Sequence, residues 1–425
     1  MYIISLLSIY AASALLTILL CPKNSSVFGN LIYGLFVVGF VFYAGTPIAS
    51  EKTPAYYALM YFLFLTTLSL SYNFSYKVLR PLSDVSSVAI PKYTNRYLTE
   101  ANSLWVILFY MVLTLLPLIF PSFRLGLLIN PPSPDLTASF EGRLSGDQSI
   151  PAIKAAASLR NVLLPFFLMA LFSIRWRLLG VAIVISLVFY IEYVDLAYKS
   201  RGQLIVALFP LLFYIWYFYP RYRKLMFLAT VIATPLVVQL FSFYEDYRLG
   251  VNVSVGDYSI FDSVEHIFGT ETDFVAAVGV PIIESGMQVN FSKYLTWILT
   301  LPIPKFLFGS IDGARINSEI SEVFLGISQN QKGFYIVLPG LIAEAVYIYG
   351  KFFFWVHAIL FGFLIAFLTR IFQSSDKFIF VVGYISVLIM YNANRGGIAS
   401  FLPLAVNQFL FIYIILILFA VRRRA

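Results

Sequence analysis

Apolar runs of about twenty residues recur along most of this chain, separated by short polar stretches. They fall at 2–20, 28–48, 55–72, 104–122, 157–174, 178–194, 203–219, 224–243, 352–371, 378–392 and 404–421. Each approaches the length an α-helix needs to cross a hydrocarbon layer about 30 Å thick, and most have Pro or Gly near an end. Between 244 and 351 the pattern changes to mixed polarity. The spacing predicts an all-α polytopic membrane protein of about 11 transmembrane helices. Its expected organisation is an N-terminal bundle of eight spans (1–243), a large extracytoplasmic loop (244–351) and a C-terminal bundle of three spans (352–425).

One segment of the loop needs its own reading. Residues 334–350 are nearly apolar enough for a twelfth span, but Pro339, Gly340 and Glu344 interrupt them. The uninterrupted part is too short to cross. It reads as a re-entrant half-helix, tolerated at membrane depth only when packed in protein or lining a cavity. The competing extra span, 294–309, contains Pro302, Pro304 and Lys305, which argue against it.

Composition agrees with this pattern. Of 425 residues, 60% are hydrophobic and 12% charged, against about 25% charged in a soluble domain, which excludes a soluble enzyme. The Lys and Arg residues set the orientation. With Arg422, Arg423 and Arg424 in the cytoplasm, eleven spans put fifteen of the 29 Lys+Arg on the inside but only three acids, Asp84, Glu100 and Asp376. The large loop then faces the outer side of the membrane. The first 20 residues lack a basic n-region and a cleavage site, so they read as a retained helix.

Scarcity narrows the chemistry. Cys21 is the single cysteine, and His266 and His357 are the two histidines, too far apart in sequence for a zinc pattern. No phosphate loop or GxGxxG occurs. Neither a metal, a cofactor nor a nucleic-acid partner is expected.

Five basic residues lie at the outer edge, where the positive-inside tendency does not explain them: Arg201, Arg248, Lys305, Arg315 and Arg395. Arg201 and Arg395 each precede glycine in a short loop. Arginine grips phosphate bidentately, so a converging set could hold a diphosphate. The simpler alternative is that Arg201 pairs with Glu192 or Asp195, and Arg248 with Glu245, as interfacial anchors. Lys305 and Arg315 lie in polar loop, where a solvated charge is the plain reading. Glu344, in the middle of the apolar half-helix, is the candidate general base, because burial disfavours the bare carboxylate and so favours a proton-accepting role. Its alternative role is a helix carboxylate satisfied by one of these arginines. His266, in an acid-rich stretch, is the second candidate base, and His357 reads as a core residue among aromatics. Tyr347 lies one turn from Glu344 and may be expected to share its face, as a substrate contact. Tyr247, Tyr258 and Tyr349 read as ordinary interfacial tyrosines.

Four segments, SRGQL (Ser200–Leu204), LPIPKF (Leu301–Phe306), LPGLIAEAVYIYG (Leu338–Gly350) and NRGG (Asn394–Gly397), together resemble the bacterial O-antigen polymerases, which join oligosaccharide repeat units. The resemblance covers roughly the second half of the chain; the first half matches by hydropathy alone. Where the family pattern carries Arg, this chain has Lys305, which keeps the charge and loses the bidentate fork. The resemblance implies a metal-independent glycosyltransferase with a helical fold of the multi-span, lipid-sugar-using class. Its substrate would be an undecaprenyl-diphosphate-linked oligosaccharide, and a chain-length regulator of the same pathway would be a partner. On that reading Arg201 and Arg395 neutralise the diphosphate leaving group, Glu344 takes the proton of the attacking hydroxyl, and Arg248, Arg315, Lys305 and Tyr347 bind substrate.

Other classes remain open. An O-antigen ligase shares the architecture but usually carries a histidine just before the re-entrant segment, where this chain reads NQKGFYIVLPG. A lipid-linked oligosaccharide flippase would need two pseudo-symmetric halves, which the asymmetric loop opposes. A scaffold in a polysaccharide assembly complex is the third alternative.

Overall fold

Tyr2–Leu20 forms α1, a helix whose every turn is apolar, so no amphipathic stripe marks it. This computed structural model describes residues 2–21, 27–49, 52–79, 100–116, 259–301, 316–328, 331, 337–372, 390, 393–403 and 406, with short pieces between 159 and 242. Among the described residues the regular structure is entirely helical. The chain also divides into two compact units, residues 1–91 with 268–425, and residues 92–267.

In the first unit, α2 (Val27–Phe40) runs without a break through a π-helical turn, Val41–Gly45, into Thr46–Ala49. Residues on both sides of that turn keep right-handed helical angles. Hydropathy gave no sign of the π-turn, because inserting one residue into a helix leaves the apolar content unchanged. α3 (Ala55–Val78) starts directly after the extended Pro54 and ends beyond the predicted 72. Its last turns contain Ser, Tyr and Asn, which lower hydropathy, yet Tyr72 and Tyr76 are buried.

Later in the chain come α5 (Ile260–Ser285), α6 (Phe291–Thr300), α7 (Ile316–Leu325), α8 (Gly340–Tyr349) and α9 (Trp355–Phe372), of which α5 begins among the second unit's residues. The helix numbered α4, Glu100–Leu115, belongs to the second unit. There Tyr110 stacks on Phe167 at 4.2 Å between ring centroids. The stretch 244–351 thus carries helices of its own. Asp262, Glu265, Glu271 and Asp273 in the first half of α5, and Pro281 near its end, hide it from a hydropathy search.

The core of the first unit is aromatic. Tyr33 stacks on Tyr72 at 4.2 Å, Phe40 lies against Tyr61 and Phe64, and Phe36 meets Phe361. Buried phenols need partners: Tyr33 donates to Ser69 Oγ at 2.6 Å, and the Tyr61 hydroxyl lies 2.7 Å from Ser13 Oγ. α3 and α9 make the most extensive packing in this unit. Gly362 permits it, since a Cβ there would lie 2.7 Å from the Leu68 carbonyl oxygen and 2.7 Å from Ser71 Cβ. Gly362→Ala should therefore push the helices apart and destabilise the protein by about 1–3 kcal/mol, the usual cost of overpacking. A lowered thermal midpoint in detergent would register it.

The polarity of the surface is inverted relative to a soluble bundle. α3 turns Tyr57, Tyr61 and Tyr72 inward and exposes Leu59, Leu63, Leu70 and Phe74; α1 exposes Ile4, Leu7, Leu15, Ile18 and Leu19. Two helical stretches, Ile32–Ala49 and Ala55–Val78, are long and apolar enough to cross a membrane among the described residues.

Candidate functional site

The order LPG…YG builds the site. Pro339 stands at the N-cap of α8, and Gly350, at φ +80°, closes its C-terminus by donating its N–H to the Val346 carbonyl at 2.7 Å. Its positive φ with extended ψ is a backbone conformation open essentially to glycine alone. The turn 351–354 then leads into α9. Chain reversal at Gly350 brings His357, early in α9, back beside Glu344 of α8. Both side chains are 0% exposed, and His357 Nε2 lies 3.2 Å from Glu344 Oε2. The contact lacks hydrogen-bond alignment: neither ring nitrogen has a hydrogen-bond partner.

The other side of Glu344 faces the NRGG motif. Residues 393–403 are helical, yet Gly397 has φ +70°, a conformation that breaks the regular backbone. The break frees the next N–H groups from intrahelical pairing. Ile398 N–H donates to Glu344 Oε2 at 2.5 Å, and Ala399 N–H to Oε1 at 2.9 Å. The carboxylate thus clasps the start of the second half of this helix, where backbone dipoles favour negative charge. A Cβ on Gly397 would lie 2.0 Å from Oε2, so only glycine lets the backbone approach. Asn394 is buried as well, donating to the Phe36 carbonyl of α2 at 3.2 Å. Gly396 is packed tightly enough that a Cβ would lie 2.9 Å from Leu338 Cδ2. Of the four NRGG residues, Arg395 is the exposed one.

An apolar cluster joins these pieces: Val278 and Ile282 of α5, Tyr294 and Trp297 of α6, Ile316 and Ile320 of α7 and Ile348 of α8, with Ile398 and Leu402 packed against them. Burial pushes the Tyr294 phenol well above its ordinary range, and the neighbouring Tyr349 and Glu344 add to the shift. Tyr294 is therefore a neutral phenol beside the carboxylate.

Several sequence expectations meet this geometry differently. Arg201, Arg248, Lys305 and Arg315 lie outside the described residues, as do Tyr247 and Tyr258; His266 lies on α5, with its side chain outside them. Glu344 is on α8, which starts after Pro339, and both its oxygens already accept backbone N–H groups. Tyr347 turns its hydroxyl to Glu319 Oε2 at 3.2 Å. The phenols that feel the Glu344 charge are those of Tyr294 and Tyr349. His357, read as a core residue, is buried and also lies beside Glu344. The signal was available in the chain: Glu344 lies six residues before Gly350 and His357 seven after, so a reversal at that glycine pairs them. Among the described residues no group of three or more His, Cys, Asp or Glu could hold a metal ion.

No protein-family model, no curated protein and no solved structure matches this chain.

Proposed function

We propose that this chain is a polytopic inner-membrane glycosyltransferase. In this reading it polymerises undecaprenyl-diphosphate-linked oligosaccharide repeat units into O-antigen or a related surface polysaccharide, on the periplasmic face. The membrane part of the proposal draws on the eleven apolar runs and on helices that expose leucine and bury tyrosine. The observation that carries the catalytic part is the NRGG break. Asn394 and Gly396 are fixed by packing, Gly397 by the Glu344 clasp, and Arg395 stands exposed from that rigid backbone. A guanidinium held on a fixed support suits a doubly charged group that offers pairs of oxygens, such as a lipid diphosphate.

In the proposed reaction, a hydroxyl of the incoming unit attacks the anomeric carbon of the growing chain. The bond from that carbon to the lipid diphosphate breaks, and the hydroxyl proton passes to water at the outer face. Arg395, with Arg201, neutralises the charge gathering on the leaving diphosphate. Arg248, Arg315 and Lys305 position donor and acceptor. Glu344 is assigned an anchoring role in place of the base role expected from sequence. A carboxylate without solvent exposure and with both oxygens engaged does not meet a substrate hydroxyl in this arrangement.

The test is a lipopolysaccharide gel from a strain lacking this chain, complemented with wild type, Arg395→Ala or Arg201→Ala. The expected result is a ladder with wild type that collapses to core plus a single repeat unit with either variant. Loss of every repeat in the deletion strain, including the single one, would point to a ligase or flippase and overturn the proposal.

A further inference from the structure

A buried carboxylate needs compensation for its lost hydration. The Ile398 and Ala399 N–H groups supply part of it, but they carry partial charges. A neutral imidazole at His357, 3.2 Å from the carboxylate, would bring no countercharge to it. The protonated ring supplies the missing whole charge, since attraction between whole charges at 3.2 Å does not require hydrogen-bond alignment. Among the described residues, the groups identified around the pair do not include a buried cation. Tyr349 and Phe361 flank the imidazole at 5.7 and 5.1 Å between ring centroids. Tyr294 is a phenol, Glu319 engages Tyr347, and Arg395 is exposed.

We infer that His357 is a positioning residue whose imidazolium is the countercharge of Glu344, the two forming a buried ion pair that keeps the NRGG break clasped and Arg395 presented. The pair stands on geometry alone; its effect on glycosyl transfer rests on the function proposed above. Breaking a buried pair by removing one partner is strongly destabilising, while replacing both is close to neutral. The coupling can therefore be separated from ordinary packing.

The experiment uses the purified full chain in lipid nanodiscs, as wild type, Glu344→Gln, His357→Gln and the double variant. Infrared difference spectra between wild type and Glu344→Gln should show loss of an ionised carboxylate. His357→Gln should gain a protonated carboxyl band that disappears when Glu344→Gln is added. Thermal midpoints should fall in both single variants and recover in the double variant to above the His357→Gln value. Where a single variant fails to fold, a folded double variant supports the pair. Additive losses in the double variant, with Glu344 remaining ionised in His357→Gln, would overturn it. A wild-type protein that shows the coupling but makes no polymer would overturn the polymerase reading and leave the pair intact.

Discussion

Gly397→Ala is expected to abolish polymer formation and to destabilise the protein on the order of 4 kcal/mol or more, by the sum of two effects. The first is backbone strain. Gly397 sits at φ +70°, where a side chain costs about 1–2 kcal/mol. The second is displacement of Glu344, because the new Cβ would lie 2.0 Å from Oε2 and 2.6 Å from Oε1. The carboxylate would have to withdraw from the Ile398 and Ala399 N–H groups, and hydrogen bonds to a charged group contribute about 1.5–3 kcal/mol each. Gly34→Ala is the control, since nothing lies within 4 Å of a Cβ there; its thermal midpoint should not fall. A Gly397→Ala protein with wild-type midpoint and a full polysaccharide ladder would show that the clasp is dispensable.

The second large effect is expected at Glu344. Glu344→Ala leaves His357 buried without its partner and two backbone N–H groups unpaired, so destabilisation of about 3–5 kcal/mol is expected, the usual range for a broken buried pair. Glu344→Gln is the more discriminating change. Its amide oxygen can accept one of the two N–H groups, whereas its NH₂ opposes the other. An anchoring carboxylate predicts that midpoint and activity fall together, and that lowering the temperature restores part of the activity. A general base predicts a normal midpoint with turnover reduced by about 10²–10⁴-fold. Measuring both quantities on the same preparation separates the two roles.

Helices that are apolar all round were legible because nothing else explains such runs. Tyr2–Leu20 and Trp355–Phe372 lie within a few residues of the ranges predicted from hydropathy. Of the expected interruptions Pro339, Gly340 and Glu344, the first two mark the start of α8, while Glu344 lies within it. α5 was not legible, because its acidic first half averages out the apolar Val275–Ser285 that follows. The stretch 393–403 read as a loop between spans, since Asn, Arg and two glycines resemble a turn. In the folded chain it is a helix interrupted at one residue, held by a carboxylate about fifty positions away. Local pattern carries no record of that partner. The same limit applies to Glu344 itself. Its burial could be inferred from apolar neighbours, but whether it would face a substrate or a backbone depended on where Gly397 came to rest. Tyr347 shows the converse: a one-turn spacing suggested a shared face with Glu344, and a carboxylate on α7 claimed the hydroxyl instead.

The clasp also imposes an order on synthesis. Glu344 leaves the ribosome 54 residues before the Ile398 amide that it will bind, so the acid is born without its backbone donors. At translation rates of about 5–20 residues per second it waits some seconds for them. His357 follows after only 13 residues, on the next helix. The nascent α8–α9 hairpin can therefore be neutral, histidine against glutamate, before the C-terminal helices exist, and the arriving NRGG segment closes onto a receptor already assembled.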